Sequence, residues 1–131
     1  MPLKIALVDD HILLRNGLAN LLGNLQYEVL FGADNGKNFV EKLNTLNLPD
    51  IVLMDINMPV MDRYETTLWV KLNYAEIKVL VLSMFDDENA IIRILKSGAK
   101  GYILKDSEPL ELKAALQALL TNGFYPSELI L

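Results

Sequence analysis

The chain of 131 residues contains no cysteine. Disulfides and thiolate metal sites are therefore excluded. The absence suits a reducing compartment. No run approaches the roughly 18 apolar residues that a membrane span requires. The start, Met1-Pro2, leads into a charged and then apolar segment, without the basic and long apolar regions of a signal peptide. These absences lead us to expect a cytoplasmic protein with no membrane partner. Positive charge is also scarce: 12 Lys and Arg against 17 Asp and Glu give a net charge of −5. The basic residues do not cluster, so this chain is not expected to grip nucleic acid itself. Internal repeats and low-complexity stretches are missing too.

Apolar material is abundant, at 52% of residues. A single domain of this size buries roughly 70% of its unfolded surface. Five short apolar runs recur: IALV at 5–8, VLF at 29–31, IVLM at 51–54, VLVL at 79–82 and YIL at 102–104. They do not alternate with polar residues, as strands apolar on both faces would not. Between them lie helical spacings. Leu14, Leu18, Leu21, Leu22 and Leu25 mark the first, and Phe39, Val40, Leu43 and Leu46 the second. Residues about 64–72 form a weaker third. Ala90, Ile91, Ile94 and Leu95 mark the fourth, and Leu112, Ala115, Leu116 and Leu119 the fifth. Gly98 and Gly123 read as helix stops, and Ser107 with Pro109 as a capped start. Trp69 is expected in or against the core. Strand and helix alternating five times predict an α/β fold: a parallel sheet with helices on both faces. The flavodoxin-like order 2-1-3-4-5 suits five strands.

Chemistry gathers where the strands end. The first run is followed by Asp9-Asp10, the third by Asp55, the fourth by Ser83 and the fifth by Lys105. In a parallel sheet these ends share one edge, and ligands bind where the strand order reverses. Asp10 and Asp55 then become neighbours, with Ser83 and Lys105 alongside. Three carboxylates against one ammonium leave excess negative charge. A divalent cation relieves it, and an all-oxygen donor set selects a hard ion, Mg²⁺ or Mn²⁺. Metal and lysine together would neutralise an incoming phosphoryl group, favouring its transfer onto a carboxylate. Taken singly, each residue has a plainer role. A strand-end aspartate is more often a helix cap, and Asp10 is placed to be one. His11 reads best as a first-turn helix residue beside the acidic pair. It is the joint arrangement that shifts the balance.

These segments resemble the receiver domain of two-component response regulators. The matching elements are IALVDDH, IVLMDINMPVMD, VLVLSMF and GAKGYILKD, in order, across residues 3 to about 122. Their wording is most similar to the LuxR/NarL-type branch. The resemblance implies a receiver at 1–122 and, at 123–131, the start of a linker to a helix-turn-helix output domain not included in this chain. Carried over by position, Asp55 matches the phosphoacceptor and Asp10 the direct Mg²⁺ ligand. Asp9 matches the companion acid acting through water, and Asn57 the backbone carbonyl that completes the metal site. Lys105 matches the lysine that pairs with the acceptor and its phosphoryl group, Ser83 the hydroxyl that moves onto that group, and Tyr102 the aromatic switch. The implied partners are a sensor histidine kinase and, on activation, a second copy of the chain. DNA would be reached only through the output domain. Such a domain transfers phosphoryl groups onto itself alone and is not an enzyme in the ordinary sense.

Three positions depart from that pattern, one of them Asp106, which follows Lys105 where many relatives have Pro. Arg63 stands where the family usually has Gly, and Met84 where a small residue is common. A left-handed backbone at Arg63 would cost on the order of 1 kcal/mol. The departures keep open a second reading, a phosphorylation-independent interaction module. A third reading is a Mg²⁺-dependent phosphatase of the haloacid-dehalogenase kind. Those enzymes need a second acid two residues after the nucleophile, and here that residue is Asn57.

Overall fold

The computed structural model describes residues 3–55, 63–83, 88–104 and 107–125, except the Ser83 side chain. Five strands alternate with five helices: β1 (Lys4–Val8), α1 (Ile12–Asn24), β2 (Glu28–Ala33), α2 (Gly36–Lys42), β3 (Ile51–Asp55), α3 (Arg63–Asn73), β4 (Lys78–Ser83), α4 (Glu88–Lys96), β5 (Gly101–Leu104) and α5 (Pro109–Asn122). All strand pairings are parallel. The sheet order is β2-β1-β3-β4-β5, as the alternation predicts.

The unbroken apolar runs are explained by burial on both faces. Ala6 and Val8 of β1, Val52 and Met54 of β3, and Val79 and Val81 of β4 face one way. They pack with Phe39 of α2, Val70 of α3 and Ile94 of α4. Their neighbours Ile5, Leu7, Ile51, Leu53, Leu80 and Leu82 face the other way, against Leu22 of α1 and Leu112, Leu116 and Leu119 of α5. Each fully buried Leu or Ile contributes about 1.5–3 kcal/mol over an exposed one. Trp69 is half-buried on α3 against the first of these cores, 5.7 Å from the ring of Tyr74.

Helix ends follow local chemistry. In α2 the Asn35 side chain accepts from the Asn38 amide at 2.8 Å, and Asn38 accepts from the Asp34 amide at 3.1 Å. The two side chains tie the first turn of α2 to the residues before it. Gly98 (φ 123°) and Gly123 (φ 84°) are left-handed, which makes them the stops expected of them. At the end of α1 the same conformation falls on Gln26, at φ 70°. Two expectations need correction. The second helix ends at Lys42, so Leu43 and Leu46 lie beyond it, and Leu46 is 92% exposed. The spacing continued past the point where helix geometry did. The cap of α5 is Glu108 rather than Ser107, with no side-chain hydrogen bond, and Pro109 opens the helix. Proline's fixed φ alone suits that first turn.

Candidate functional site

The register of β1 against β3 builds the site. Val8 lies opposite Met54, so Asp9 and Asp55 emerge side by side from adjacent central strands. Strand order reverses at this pair. Asp55 is fully buried and Asp9 is 2% exposed. Asp10 is exposed, as is His11. One oxygen each from Asp9, Asp10 and Asp55 and one nitrogen from His11 lie within 4.8 Å of one another. At that distance two like charges repel by about 3 kcal/mol at an effective dielectric constant near 20. A hard divalent cation fits the three carboxylates of this group, because it answers their crowded oxygens with charge.

Local hydrogen bonds hold the pocket open. Oδ1 of Asp9 accepts from the His11 amide at 2.8 Å, a turn that aspartate forms with its own chain. The Asp9 amide donates to the Ala33 carbonyl at 3.0 Å. Arg15 donates through Nη1 to the Asp9 carbonyl at 3.0 Å and to Oδ1 of Asp34 at 2.8 Å. It thereby ties the ends of β1 and β2 together. A Cβ at Gly32 would stand 2.9 Å from the Arg15 side chain, so glycine there lets Arg15 lie across the strand. Asp10, a candidate cap by position, does not cap α1; the cap residue is His11, without a side-chain hydrogen bond. The carboxylate of Asp10 instead joins the pocket.

Ser83 closes β4 and lies opposite Leu104 of β5 in register, at the same sheet edge. Tyr102 sits in β5 opposite Val81, half-buried against the core that includes α4. Asn57, Lys105, Asp106 and Met84 lie outside the described residues. Arg63 is the first residue of α3, a right-handed helix, so the strain weighed for it does not arise. Its guanidinium lies 4.6 Å from the Tyr64 ring centre, and that of Arg93 of α4 lies 3.8 Å from the same ring. Sequence reading missed this stack, as it missed Arg15. Neither has a spacing signal, because both depend on which helices meet.

A carboxylate pocket at the reversal point of a 2-1-3-4-5 parallel sheet defines a flavodoxin-like receiver-type fold. Comparison with known proteins agrees. Residues 5–117 match the family model described as the response regulator receiver domain. The chain is 39% identical over 124 residues to the transcriptional regulatory protein DegU of Brevibacillus brevis, covering 94% of this chain and 52% of that protein. It is 35% identical over 128 residues to the nitrate/nitrite response regulator NarL of Escherichia coli K12, covering 97% of this chain and 59% of that protein. The solved receiver domain of the putative response regulator NarL from Mycobacterium tuberculosis superimposes with a TM-score of 0.83 at 31% identity, covering 92% of this chain and 98% of that one. The chain thus belongs to the response-regulator receiver family, of the NarL/LuxR type. It spans 52–59% of the length of these two curated relatives. Among the described residues no helix is long and apolar enough to cross a membrane.

Proposed function

We propose that the chain takes a phosphoryl group from a sensor histidine kinase onto Asp55 and thereby switches an output, transcription through a C-terminal DNA-binding domain. The carrying observation is the burial of Asp55 beside Asp9 and Asp10, at the point where strand order reverses. A carboxylate oxygen of Asp55 attacks phosphorus. An O–P bond forms, the P–N bond to the donor imidazole breaks, and the imidazole leaves with the bonding pair. Residues 1–122 form the receiver on this reading, and 123–131 begin the linker. The setting would be the cytoplasm.

Mg²⁺ or Mn²⁺ would be held by the carboxylates of Asp10 and Asp55 and the backbone carbonyl of Asn57, with Asp9 acting through water. When bound, it supplies positive charge against the phosphoryl oxygens. Lys105 pairs with the same oxygens, and the Ser83 hydroxyl donates to one of them. Both gain that partner only in the phosphorylated state, so phosphorylation shifts the equilibrium between two arrangements of the site. Tyr102 turns inward as Ser83 moves, which transmits the change to the face near α4. Beside the pocket, Ile12 and Leu13 of α1 are 59% and 88% exposed. This apolar shoulder suits contact with the donor protein.

The test is mass spectrometry after acetyl phosphate and Mg²⁺ treatment. One added phosphoryl group is expected on the Asp55 peptide, and none in Asp55→Asn. Labelling that persists in the variant would sink the assignment.

A further inference from the structure

His11 is the chain's single histidine, and there is no cysteine. As the cap residue of α1 it makes no side-chain hydrogen bond to the helix amides. Its ring turns to the carboxylates instead. Nδ1 lies 3.6 Å from Oδ1 of Asp9 and 3.7 Å from Oδ1 of Asp10. Two donors bound to one ion at about 2.1 Å can stand at most about 4.2 Å apart. Both separations fall inside that limit. All four donors lie within 4.8 Å of one another, a little over that limit.

We propose that His11 turns the acidic pocket into a site for borderline divalent cations of the Zn²⁺ class, which bind there in competition with Mg²⁺ through the imidazole Nδ1. The proposal rests on the reading of Asp9, Asp10 and Asp55 as a metal site and adds a fourth donor of different chemistry. Carboxylate and water oxygens suit Mg²⁺, whereas imidazole nitrogen suits Zn²⁺, Ni²⁺ and Cu²⁺. The coordination numbers differ as well. Mg²⁺ takes six ligands and keeps several waters, so it leaves positions open. Zn²⁺ is satisfied by four. Asp9, Asp10, Asp55 and His11 together complete that set and leave no open position beside Asp55. Zn²⁺ is therefore an inhibitory ion here, and His11 sets how readily it displaces the activating one.

The single histidine makes the test direct. Tag-free chain is loaded with Cu²⁺ as a spectroscopic stand-in, and pulsed electron paramagnetic resonance reads the remote imidazole nitrogen. The modulation is expected in the wild type and absent in His11→Gln. In Asp10→Asn it is expected to weaken, because the ion loses its place beside the ring. Mn²⁺ affinity, read from the free-ion signal, and Zn²⁺ affinity, read by competition against Mn²⁺, complete the comparison. His11→Gln is expected to lose on the order of tenfold in Zn²⁺ affinity while Mn²⁺ affinity changes little. Three results overturn the proposal: no nitrogen modulation in the wild type, full modulation in Asp10→Asn, or equal Zn²⁺ affinity in wild type and His11→Gln. If Mn²⁺ binding is lost in Asp10→Asn while any of these holds, the metal pocket stands and only the role of His11 falls. Failure of the wild type to bind Mn²⁺ sinks both.

Discussion

Asp50 precedes β3 and Asp55 closes it. Oδ2 of Asp50 accepts from the Lys4 amide at 2.9 Å, its own amide donates to the Lys4 carbonyl at 2.8 Å, and its carbonyl accepts from the Lys78 amide at 3.1 Å. It fastens the starts of β1, β3 and β4 to one another. Beside it, Lys4 Nζ donates to Asn47 at 2.8 Å. Asp50 is exposed and surrounded by donors, while Asp55 is buried and crowded by two other carboxylates. The same residue type at the two ends of one strand thus serves opposite ends. The first carboxylate holds the fold together. The second sits among carboxylates whose mutual repulsion a cation can relieve.

Adding and removing the cation should produce the largest difference between the two ends. Mg²⁺ at a hundred times its dissociation constant should raise unfolding stability by about 2.7 kcal/mol. Denaturant titration with and without Mg²⁺ reads this. Asp10→Asn should lose most of the increment, and Asp50→Ala should keep it. In metal-free buffer the ends should respond with opposite signs. Asp50→Ala should destabilise by about 1 kcal/mol through its lost hydrogen bond. Asp55→Asn should stabilise by a similar amount, about 1 kcal/mol, as like-charge repulsion is removed. If both variants destabilise, the contrast between the two ends fails.

Smaller effects sharpen the comparison away from the pocket. Gln26→Gly relieves a left-handed residue at the end of α1 and should add roughly 0.5–1 kcal/mol, read as a higher denaturation midpoint. Tyr125 gives the smallest signal. Burial, then Glu111 and Tyr102, push its hydroxyl above the ordinary value of 10.0. The folded state therefore holds the proton more tightly than the unfolded one. Stability is full below pH 10.0 and falls as the pH rises through the raised value. Burial raises Tyr27 in the same direction. Tyr125→Phe should make the alkaline loss shallower, measured by unfolding at pH values on either side of 10.0.

Much of this molecule is legible without coordinates. The strands are short and apolar throughout, so their number, type and parallel pairing follow from composition and from the helices between them. Asp9, Asp10 and Asp55 stand out because each follows such a run. Helix ends were harder to read. Leu43 and Leu46 extend a helical spacing that the chain abandons after Lys42. Periodicity reports what a segment could bury, not where its backbone turns. Ser107 has the right chemistry for a cap, yet the backbone places Glu108 there. Ile12 and Leu13, which fall outside the helical spacing read for α1, are exposed beside the pocket.

The sheet order and its acidic edge are set by local chemistry: apolar runs that need cover on both faces, the first and third of them ended by aspartates. Arg15 across Gly32, the Arg63–Tyr64–Arg93 stack and the turn of the His11 ring toward Asp9 and Asp10 are not. They join residues whose distance and direction depend on how helices seat against the sheet. Hydrogen bonds, ion contacts and metal ligation act over a few ångströms, a precision that residue spacing alone does not carry.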